Sequence, residues 1–312
     1  MIYKSDKYAD FLHLHIENLE RGEAGGIKIG IPRVDEYLEP LKKGDLGFIL
    51  GRPGGMKTAL LLTLTMNAVE IYKYDPKHYA PPIYVTKETA IEDLSLKVLS
   101  HYCGIDTRLI RDRKIPDWNY LHKNIDDMIE DMPIVYIGHS LYDDVKQKHL
   151  DYNTVESEIR EVHDDYGNSS ILIAADYLQR FYLPGYTDQS NMLSVIVDKS
   201  KDFANEEKTT WVWGCQAGRQ VDERAFPIPL SGDGQWTSNI EQSGDWIVSG
   251  MRPCKVAGWK VGNVVPKSQD NIIITKELYA LMVLKQRNGD TNEMFWLSFD
   301  PRIIQISDRI SI

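Results

Sequence analysis

Residues 46–58 read LGFILGRPGGMKT: an apolar run, a turn rich in glycine, and a lysine followed by a threonine. The apolar run predicts a buried strand, and the apolar residues after Thr58 predict a helix. A glycine, four residues, a second glycine, a lysine and a serine or threonine, set between a strand and a helix, form the phosphate-binding P-loop. Backbone N–H groups of such a loop converge on an anion at the helix N-terminus. The segment therefore predicts a nucleotide site in an α/β fold.

Two side chains of this loop have expected roles. Lys57 is placed to reach the β- and γ-phosphates of a nucleoside triphosphate, and the Thr58 hydroxyl to ligate Mg²⁺. Met56 stands where the pattern has its last glycine, although positive φ is cheap only for glycine. A chance glycine turn, and a loop that binds nucleotide weakly or without hydrolysis, remain alternatives. The expected nucleotide contacts are Gly51, Arg52, Pro53, Gly54, Gly55, Met56, Lys57, Thr58 and Ala59.

Strand and helix patterns alternate along the rest of the chain. Predicted strands lie at 46–51, 82–88, 133–138, 169–179 and 209–217, and predicted helices at 57–72, 91–104, 117–132, 155–167 and 192–207. Strands separated by helices of this length make right-handed βαβ units and a mostly parallel twisted sheet with helices on both faces. Near the C-terminus, strand patterns joined by short turns lie at 244–250, 277–287 and 293–299. We therefore expect an antiparallel C-terminal extension of the sheet.

The N-terminal segment is distinct from this α/β pattern. Residues 8–21 place apolar side chains at roughly helical spacing, and glycines at 22, 25 and 26 form a flexible junction. The sequence thus predicts a helix and junction over residues 1–26 and one large domain over 27–312. Such a helix is expected to fold back on its own domain or to dock on a neighbour.

Composition limits the function without deciding it. The chain has 312 residues, and its net charge of −10 argues against coating nucleic acid over the whole surface, although basic side chains in an inner channel remain compatible. No window reaches the roughly 18 consecutive apolar residues of a membrane span, and the N-terminus does not resemble a signal peptide. Cys103, Cys215 and Cys254 lie far apart, without disulfide or metal-ligand spacing. A cytoplasmic location, with no membrane partner, is the expectation.

Other polar residues end predicted strands in the order that a P-loop ATPase requires. Asp176 ends an apolar strand, where a Walker B carboxylate holds Mg²⁺ through water, and Glu88 ends another, where an acid polarises the attacking water. Gln216 ends a third strand and is a candidate sensor of the γ-phosphate. Lys285 and Arg287 precede an Asn-Gly turn, and arginine suits bidentate contact with phosphate. Taken singly, Asp176 is equally compatible with a capping residue, and Gln216 could be a polar strand terminus. Glu88 alone would be interpreted as an exposed strand end, and Lys285 and Arg287 alone as an ordinary basic hairpin.

From about residue 27 to the C-terminus the chain resembles the DnaB family of hexameric replicative helicases. The segments that carry the resemblance are IGIPRVDEYLEPLKKGDLGFILGRPGGMKTAL, VTKETAIEDL, LIAADYLQRF, WGCQAGRQVDERA, SNIEQSGDWIV and KQRNGDTNEMFWLSF. The resemblance implies a RecA-like P-loop NTPase core that binds ATP and Mg²⁺ and forms a homo-oligomeric ring, expected to be a hexamer. It implies that Glu88 is the catalytic base, that Gln216 senses the γ-phosphate, and that Lys285 and Arg287 act across a subunit interface.

The sequence departs from that family at its N-terminus and before the SNIEQ segment. About 26 residues precede the ATPase pattern, so we expect no N-terminal helical collar, and helix 8–21 resembles the family's linker helix. A phage- or plasmid-type enzyme, or a collar supplied by another chain, fits this pattern. Residues 235–238 read QWTS and lack an arginine that many relatives carry. Primase or a helicase loader is the protein partner that the resemblance implies.

In this fold the loops after the Walker B and sensor strands face the ring centre. These are residues 180–191 and 218–239. We expect Arg180, Arg219 and Arg224 to contact the backbone of single-stranded DNA. Candidates for base contact are Tyr182, Phe226 and Trp236. Acidic residues in the same loops, at 188, 222, 223 and 233, require that this contact be selective.

The leading hypothesis is an ATP-driven hexameric translocase on single-stranded DNA that unwinds duplex. One alternative is a RecA- or RadA-like recombination ATPase, which shares the fold but forms open filaments. A second alternative is a catalytically weak nucleotide-binding scaffold of a replication complex, for which Met56 is the sole support in the sequence.

Overall fold

The computed structural model describes residues 25–55, 57–115, 117–142, 150–234, 239–266 and 271–308, together with His13 and Ile16. Within these ranges one sheet has nine strands in the order β3-β2-β4-β5-β1-β6-β7-β8-β9. The strands are β1 Leu46–Gly51, β2 Ile83–Thr86, β3 Val135–Ile137, β4 Leu172–Asp176, β5 Thr210–Gln216, β6 Trp246–Met251, β7 Leu278–Lys285, β8 Glu293–Asp300 and β9 Gln305–Asp308. The α-helices are α1 Pro32–Asp35, α2 Lys57–Tyr74, α3 Ile91–Cys103, α4 Thr107–Arg111, α5 Trp118–Asp131, α6 Tyr152–Tyr166, α7 Gln189–Glu207 and α8 Asn239–Ser243.

Strand β1 lies in the middle of the parallel part of the sheet. It pairs in parallel with β5 on one side and with β6 on the other, and all six of its residues are buried. Alternate side chains enter opposite cores: Phe48 packs in the core with α6 and α7, and Ile49 in the core with α2, α3 and α5. A strand covered on both faces must be apolar throughout, and the run LGFIL meets that condition. The predicted mostly parallel sheet is confirmed.

The C-terminal extension is antiparallel, but it begins one strand later than predicted. β6 pairs in parallel with β1 and antiparallel with β7, and β7, β8 and β9 continue antiparallel. The expected short turn between β6 and β7 was wrong, because residues 252–277 connect them. Apolar residues of this connection, such as Val265 and Ile274, pack with Met251 and Trp296 in a separate small core. Strand β9 was not predicted, since its four residues carry no clear alternation.

Helix boundaries follow local capping chemistry. α3 ends before Gly104, whose φ of +67° suits glycine. α6 begins at Tyr152, three residues earlier than predicted. The carboxylate of the preceding Asp151 caps the helix by accepting from the Thr154 N–H at 2.9 Å. The strand predicted at 169–179 is confined to Leu172–Asp176, because residues 178–180 turn into a 3₁₀ helix. Of the predicted helix 8–21, all but His13 and Ile16 lies outside the described residues; those two are helical and exposed.

Candidate nucleotide site

The carboxyl ends of four parallel strands bring the predicted site residues to one edge of the sheet. Gly51 at the end of β1 is paired with Gln216 at the end of β5, and Thr86 at the end of β2 with Asp176 at the end of β4. Ligands of open α/β sheets bind at this edge. The P-loop, Asp176, Gln216 and the turn that holds Glu88 therefore lie at the same edge of the sheet.

The turn after β1 has the backbone that its glycines predict. Gly54 has a φ of +75°, and a Cβ at Gly55 would stand 2.8 Å from the Arg52 carbonyl oxygen. The Gly55 N–H donates to that oxygen at 2.8 Å, which closes the turn. Glycine is thus required at both positions, one for its φ and the other for close approach. Met56 lies outside the described residues.

Lys57, the first residue of α2, points back over the loop. Its Nζ donates to the Gly51 carbonyl at 3.1 Å and lies 5.6 Å from the centre of the Tyr177 ring. Burial lowers the pKa of Lys57, while the negative charges of Asp176 and Glu88 act in the opposite direction. Burial disfavours the ammonium form, so an anion bound in the loop would restore stabilisation that the protein supplies only in part.

Thr58 and Asp176 form the centre of the site. The Thr58 hydroxyl donates to Asp176 Oδ2 at 2.5 Å, and the Tyr84 hydroxyl donates to the same oxygen at 3.4 Å. Asp176 is 1% exposed, and its Oδ1 has no hydrogen-bond partner among the described residues. Burial raises the pKa of Tyr84 well above its ordinary value, with the charge of Asp176 adding to it, so the phenol stays protonated and donates.

These groups fit Mg²⁺ held beside a nucleotide phosphate. A buried carboxylate with an unpaired oxygen, next to a hydroxyl, offers the hard oxygen ligands that Mg²⁺ prefers. Gly214 on β5 leaves the necessary room, since a Cβ there would lie 3.2 Å from Asp176 Oδ1. A cleft of about 270 Å³, lined in part by Arg52, Gly54 and Gly55, opens beside the loop.

Glu88 lies in a bend two residues beyond the end of β2, rather than on the strand where the sequence placed it. The reason is a local turn: the Thr86 hydroxyl accepts from the Thr89 N–H at 3.1 Å and donates to the Thr89 carbonyl at 2.9 Å. The Glu88 side chain is exposed, and it lies close enough to Lys57 for its negative charge to act to raise the pKa of that lysine. The bend thus directs a carboxylate to the rim of the nucleotide site.

Gln216 is held at its backbone by a residue that the sequence analysis did not select. Gln179 Oε1 accepts from the Gln216 N–H at 2.9 Å, and Gln179 Nε2 donates to the Gln216 carbonyl at 3.2 Å. Gln179 follows Asp176 by three residues and is 9% exposed, so it links the end of β4 to the end of β5. The available signal in the sequence was a glutamine three residues after a strand-ending acid.

Arg52 directs its guanidinium away from the P-loop, towards the segment after β5. Its Nη1 donates to the Ala217 carbonyl at 2.9 Å, and its Nη2 donates to Asp222 Oδ2 at 2.7 Å. Of the predicted nucleotide contacts, Arg52 therefore has side-chain donors that are already in use, and its backbone alone lines the loop.

The predicted DNA-contacting arginines have different surroundings. Arg180 and Arg219 are exposed, whereas Arg224 donates through Nη1 and Nη2 to the buried Asp233 at 2.5 and 2.6 Å. Phe226 packs against Trp259 and Trp296, with ring centres 5.8 and 6.2 Å away, so its ring belongs to a core.

The remaining aromatic candidates for base contact are Tyr182 and Trp236. Tyr182 is half-buried, with Lys87 Nζ 4.9 Å above its ring. Trp236 lies outside the described residues.

Lys285 and Arg287 lie at the opposite edge of the sheet. Lys285 pairs with Ile247 near the start of β6, and its Nζ donates to the Glu241 carbonyl at 2.6 Å. Arg287 Nη2 lies 2.9 Å from Asp45 and 2.8 Å from Asp245, the residues that precede β1 and β6. A six-residue strand rising about 3.3 Å per residue separates the edges by roughly 20 Å. Neither cation can reach the P-loop of its own chain.

No helix in the described part of the chain is long and apolar enough to cross a membrane.

Two curated relatives are named as replicative helicases. The probable replicative DNA helicase of Trieres chinensis is 25% identical over 295 residues, which cover 91% of this chain and 58% of that protein. The replicative DNA helicase DnaB of Mycoplasma genitalium is 25% identical over 252 residues, which cover 79% of this chain and 51% of that protein. The chain thus spans about half the length of these relatives.

Solved structures share the fold. The ATPase domain of G40P superposes with a TM-score of 0.77 at 17% identity, covering 97% of this chain and 98% of that one. A DnaB-like replicative helicase, described with its interactions with primase, superposes with a TM-score of 0.74 at 18% identity, covering 99% and 68%. The family model of the DnaB-like helicase C-terminal domain matches residues 26–308. The chain therefore belongs to the DnaB-like helicase C-terminal domain family.

Proposed function

We propose that this chain is the ATP-driven motor of a replicative DNA helicase, which moves along single-stranded DNA as a hexameric ring and unwinds duplex ahead of it. The observation that supports the proposal is that the P-loop residues and two basic residues lie at opposite edges of one sheet. Lys57, Thr58 and Asp176 stand at one edge, and Lys285 and Arg287 stand roughly 20 Å away at the other.

ATP is the nucleotide that the carboxyl edge is proposed to hold. The P-loop backbone and Lys57 bind its phosphates, while Thr58 and Asp176 hold Mg²⁺, directly and through water. Mg²⁺ held by these residues would neutralise charge on the transferred phosphoryl group. Glu88, exposed at the rim, orients the attacking water and accepts its proton. Gln216 senses the γ-phosphate, and Gln179 links the end of its strand to the residues after Asp176.

The two basic residues at the amino edge are proposed to serve the next subunit. Arg287 is half-exposed, with the Nε and Nη2 side of its guanidinium held by Asp45 and Asp245. Within the described residues no partner binds Nη1, which is left to donate a charge-assisted hydrogen bond to the γ-phosphate at the neighbouring subunit. A contact that joins one edge of a subunit to the other edge of its neighbour is heterologous, and it generates a ring when the rotation closes.

Single-stranded DNA is proposed to contact the exposed Arg180 and Arg219, which lie after β4 and β5. These strands also end at the nucleotide, so hydrolysis can move the loops that hold the DNA. Arg224 is proposed to act on the shape of its loop, since Asp233 takes two of its N–H groups. Primase or a helicase loader is the proposed protein partner, because one structural neighbour is described with primase.

The test is ATP hydrolysis with and without single-stranded DNA, measured on the chain and on Lys57→Ala. Lys114→Ala is a matched control, since Lys114 is an exposed lysine whose ion pair is with Asp112 and not with a residue of the P-loop. We expect hydrolysis that DNA stimulates, that Lys57→Ala abolishes, and that Lys114→Ala preserves. Nucleotide binding without hydrolysis under either condition would overturn the motor in favour of a scaffold. Open filaments on DNA, in place of closed rings that unwind duplex, would favour a recombination ATPase.

A further inference from the structure

The segment 217–234, which follows β5, is closed at its base. The Gly218 N–H donates to the Asp233 carbonyl at 2.9 Å, and Ala217 forms an isolated antiparallel bridge with Gly234. The Ala217 N–H also donates to the Gly51 carbonyl at 3.1 Å, which places the base of the segment beside the first residue of the P-loop. Both ends of the segment therefore start from one point next to the nucleotide site.

A partly buried ion pair connects two positions within this segment. Arg224 binds Asp233 through both terminal nitrogens, and Asp233 also accepts from the Leu230 N–H at 2.7 Å. The Asp233 side chain is 6% exposed and that of Arg224 is 35% exposed, so the carboxylate of this bidentate pair is buried and the guanidinium is partly exposed. Charge-assisted bidentate bonds fix geometry as well as adding energy. These bonds cross-link residues 224, 230 and 233 within segment 217–234, and Arg219 lies exposed on the same segment.

Arg52 of the P-loop binds segment 217–234 at a second point. Its Nε lies 2.9 and 3.0 Å from the two oxygens of Asp222, and its Nη2 lies 2.7 Å from Oδ2. Asp222 sits on the short 3₁₀ helix Arg219–Glu223, the same turn that carries Arg219. The Arg52 side chain is 21% exposed and that of Asp222 is 54% exposed, so the pair lies at the mouth of the site.

We propose that Asp222 is a positioning residue that, through Arg52, makes segment 217–234 follow the P-loop and so couples nucleotide binding to DNA contact. The P-loop contacts the segment at two points, the Ala217 base and the Asp222 pair. With both contacts, a rotation of the P-loop is transmitted to the segment. With one contact alone, the segment can rotate about that point instead. The DNA side of this inference rests on the proposed function, in which Arg219 contacts single-stranded DNA. The nucleotide side rests on the geometry of the P-loop alone.

The first experiment compares DNA stimulation of ATP hydrolysis in Asp222→Asn, Asp222→Glu and Glu223→Gln. Glu223 is the matched control, since it is the next residue, is exposed, and forms no ion pair within the described residues. We expect Asp222→Asn to lower the maximal stimulation about fivefold, the low end of usual coupling factors for a partly exposed pair. The DNA concentration for half-stimulation should change little, because Arg219 is intact. Asp222→Glu should restore part of the stimulation, and Glu223→Gln should retain all of it.

Equal stimulation in Asp222→Asn and Glu223→Gln would overturn the inference and leave the proposed function intact. A wild-type chain that DNA does not stimulate would overturn the proposed function and, with it, the DNA side of the coupling.

The nucleotide side is tested separately by hydrogen–deuterium exchange, with a non-hydrolysable ATP analogue and Mg²⁺ as the probe and no DNA present. We expect the analogue to alter exchange at residues 218–224 in the wild type and in Glu223→Gln, and to alter it much less in Asp222→Asn. The same response in Asp222→Asn as in the wild type would show that the pair transmits nothing.

Discussion

The pKa values of the cations at the two edges of the parallel sheet are shifted in opposite directions. At the carboxyl edge, burial lowers the pKa of Lys57, although Asp176 and Glu88 are near. At the amino edge, hydrogen bonding to Asp245 and the charge of Asp45 raise the pKa of the half-exposed Arg287. One edge thus holds a cation that lacks full compensation, and the other holds a cation that its own chain has oriented. The difference is consistent with the proposed roles, in which one edge receives phosphate and the other supplies a cation to a neighbour.

The strongest test of this comparison separates the edges genetically. We expect Arg287→Ala to lower kcat roughly a thousandfold or more, the usual effect of losing an arginine finger, with little change in ATP affinity. Lys57→Ala should be inactive by itself. Mixed rings of the two inactive variants should recover part of the hydrolysis, since some interfaces then pair an intact P-loop with an intact Arg287. The measurement is hydrolysis against mixing ratio, and no recovery at any ratio would contradict action in trans.

A smaller effect is expected from the carboxylate that orients Arg287. Asp245 Oδ1 accepts from Arg287 Nε and Nη2, while its Oδ2 accepts from Lys201 Nζ at 2.6 Å and the Leu46 N–H at 2.8 Å. Burial acts to raise the pKa of Asp245, but these hydrogen bonds outweigh it and hold the pKa below its ordinary value. Asp245→Asn should lower kcat about 10- to 100-fold, because misplacing a catalytic group by about 1 Å has effects of that order.

Lys201→Met provides the control for Asp245→Asn. Lys201→Met removes a different partner of Asp245, and Arg287 stays bound to Asp245. Like Asp245→Asn, it should lower the free energy of unfolding, by about 1–3 kcal/mol. A melting temperature and a kcat for each variant separate the two effects. If kcat falls equally in the two variants, Asp245 affects kcat through folding alone and not through the position of Arg287.

The smallest expected effect is a pH dependence that belongs to the carboxyl edge alone. The charged form of Lys57 binds phosphate, and burial lowers its pKa, so ATP affinity should weaken as pH rises through that lowered pKa, which lies below the ordinary lysine value of about 10.4. The loss should reach at most about tenfold per pH unit, as for a single proton. Arg287 stays charged throughout, since its pKa is raised.

The measurement for this pH prediction is the Kd of a fluorescent ATP analogue across alkaline pH, on the wild type and on Lys57→Arg. The arginine variant should bind more weakly but with a flat profile, because its guanidinium does not titrate in this range. A wild-type affinity that stays constant up to the ordinary pKa of lysine would contradict the assignment.

Much of the fold was predictable because it is encoded locally. The apolar run before the P-loop, the acid that ends β4 and the glycine that ends α3 are each determined by a few neighbouring residues, and the structure confirms the corresponding elements. Strand pairing was less accessible. The sequence placed β6 with the antiparallel extension, but its two neighbours differ in direction, and a strand's own residues do not encode which strands flank it.

Pairs of charged side chains were the least predictable features. The sequence predicted that Arg52 contacts the nucleotide. Its side chain instead pairs with Asp222, which lies 170 residues further along the chain. Arg224 appeared as a DNA contact, yet Asp233 takes its donors. Charge and spacing in the sequence show that such side chains exist, but an ion pair depends on the distance between atoms from distant segments.

The sequence alone determined that this protein has a P-loop, alternating strands and helices, and acidic and basic residues in a set order after the P-loop. These properties depend on residue type and local spacing, which a linear chain carries directly. Tertiary structure decided that the P-loop and Arg287 occupy opposite edges of one sheet, and that Arg52 joins the P-loop to segment 217–234. Both depend on how strands pack side by side, because parallel pairing fixes which edge each strand end occupies, whatever its distance along the chain.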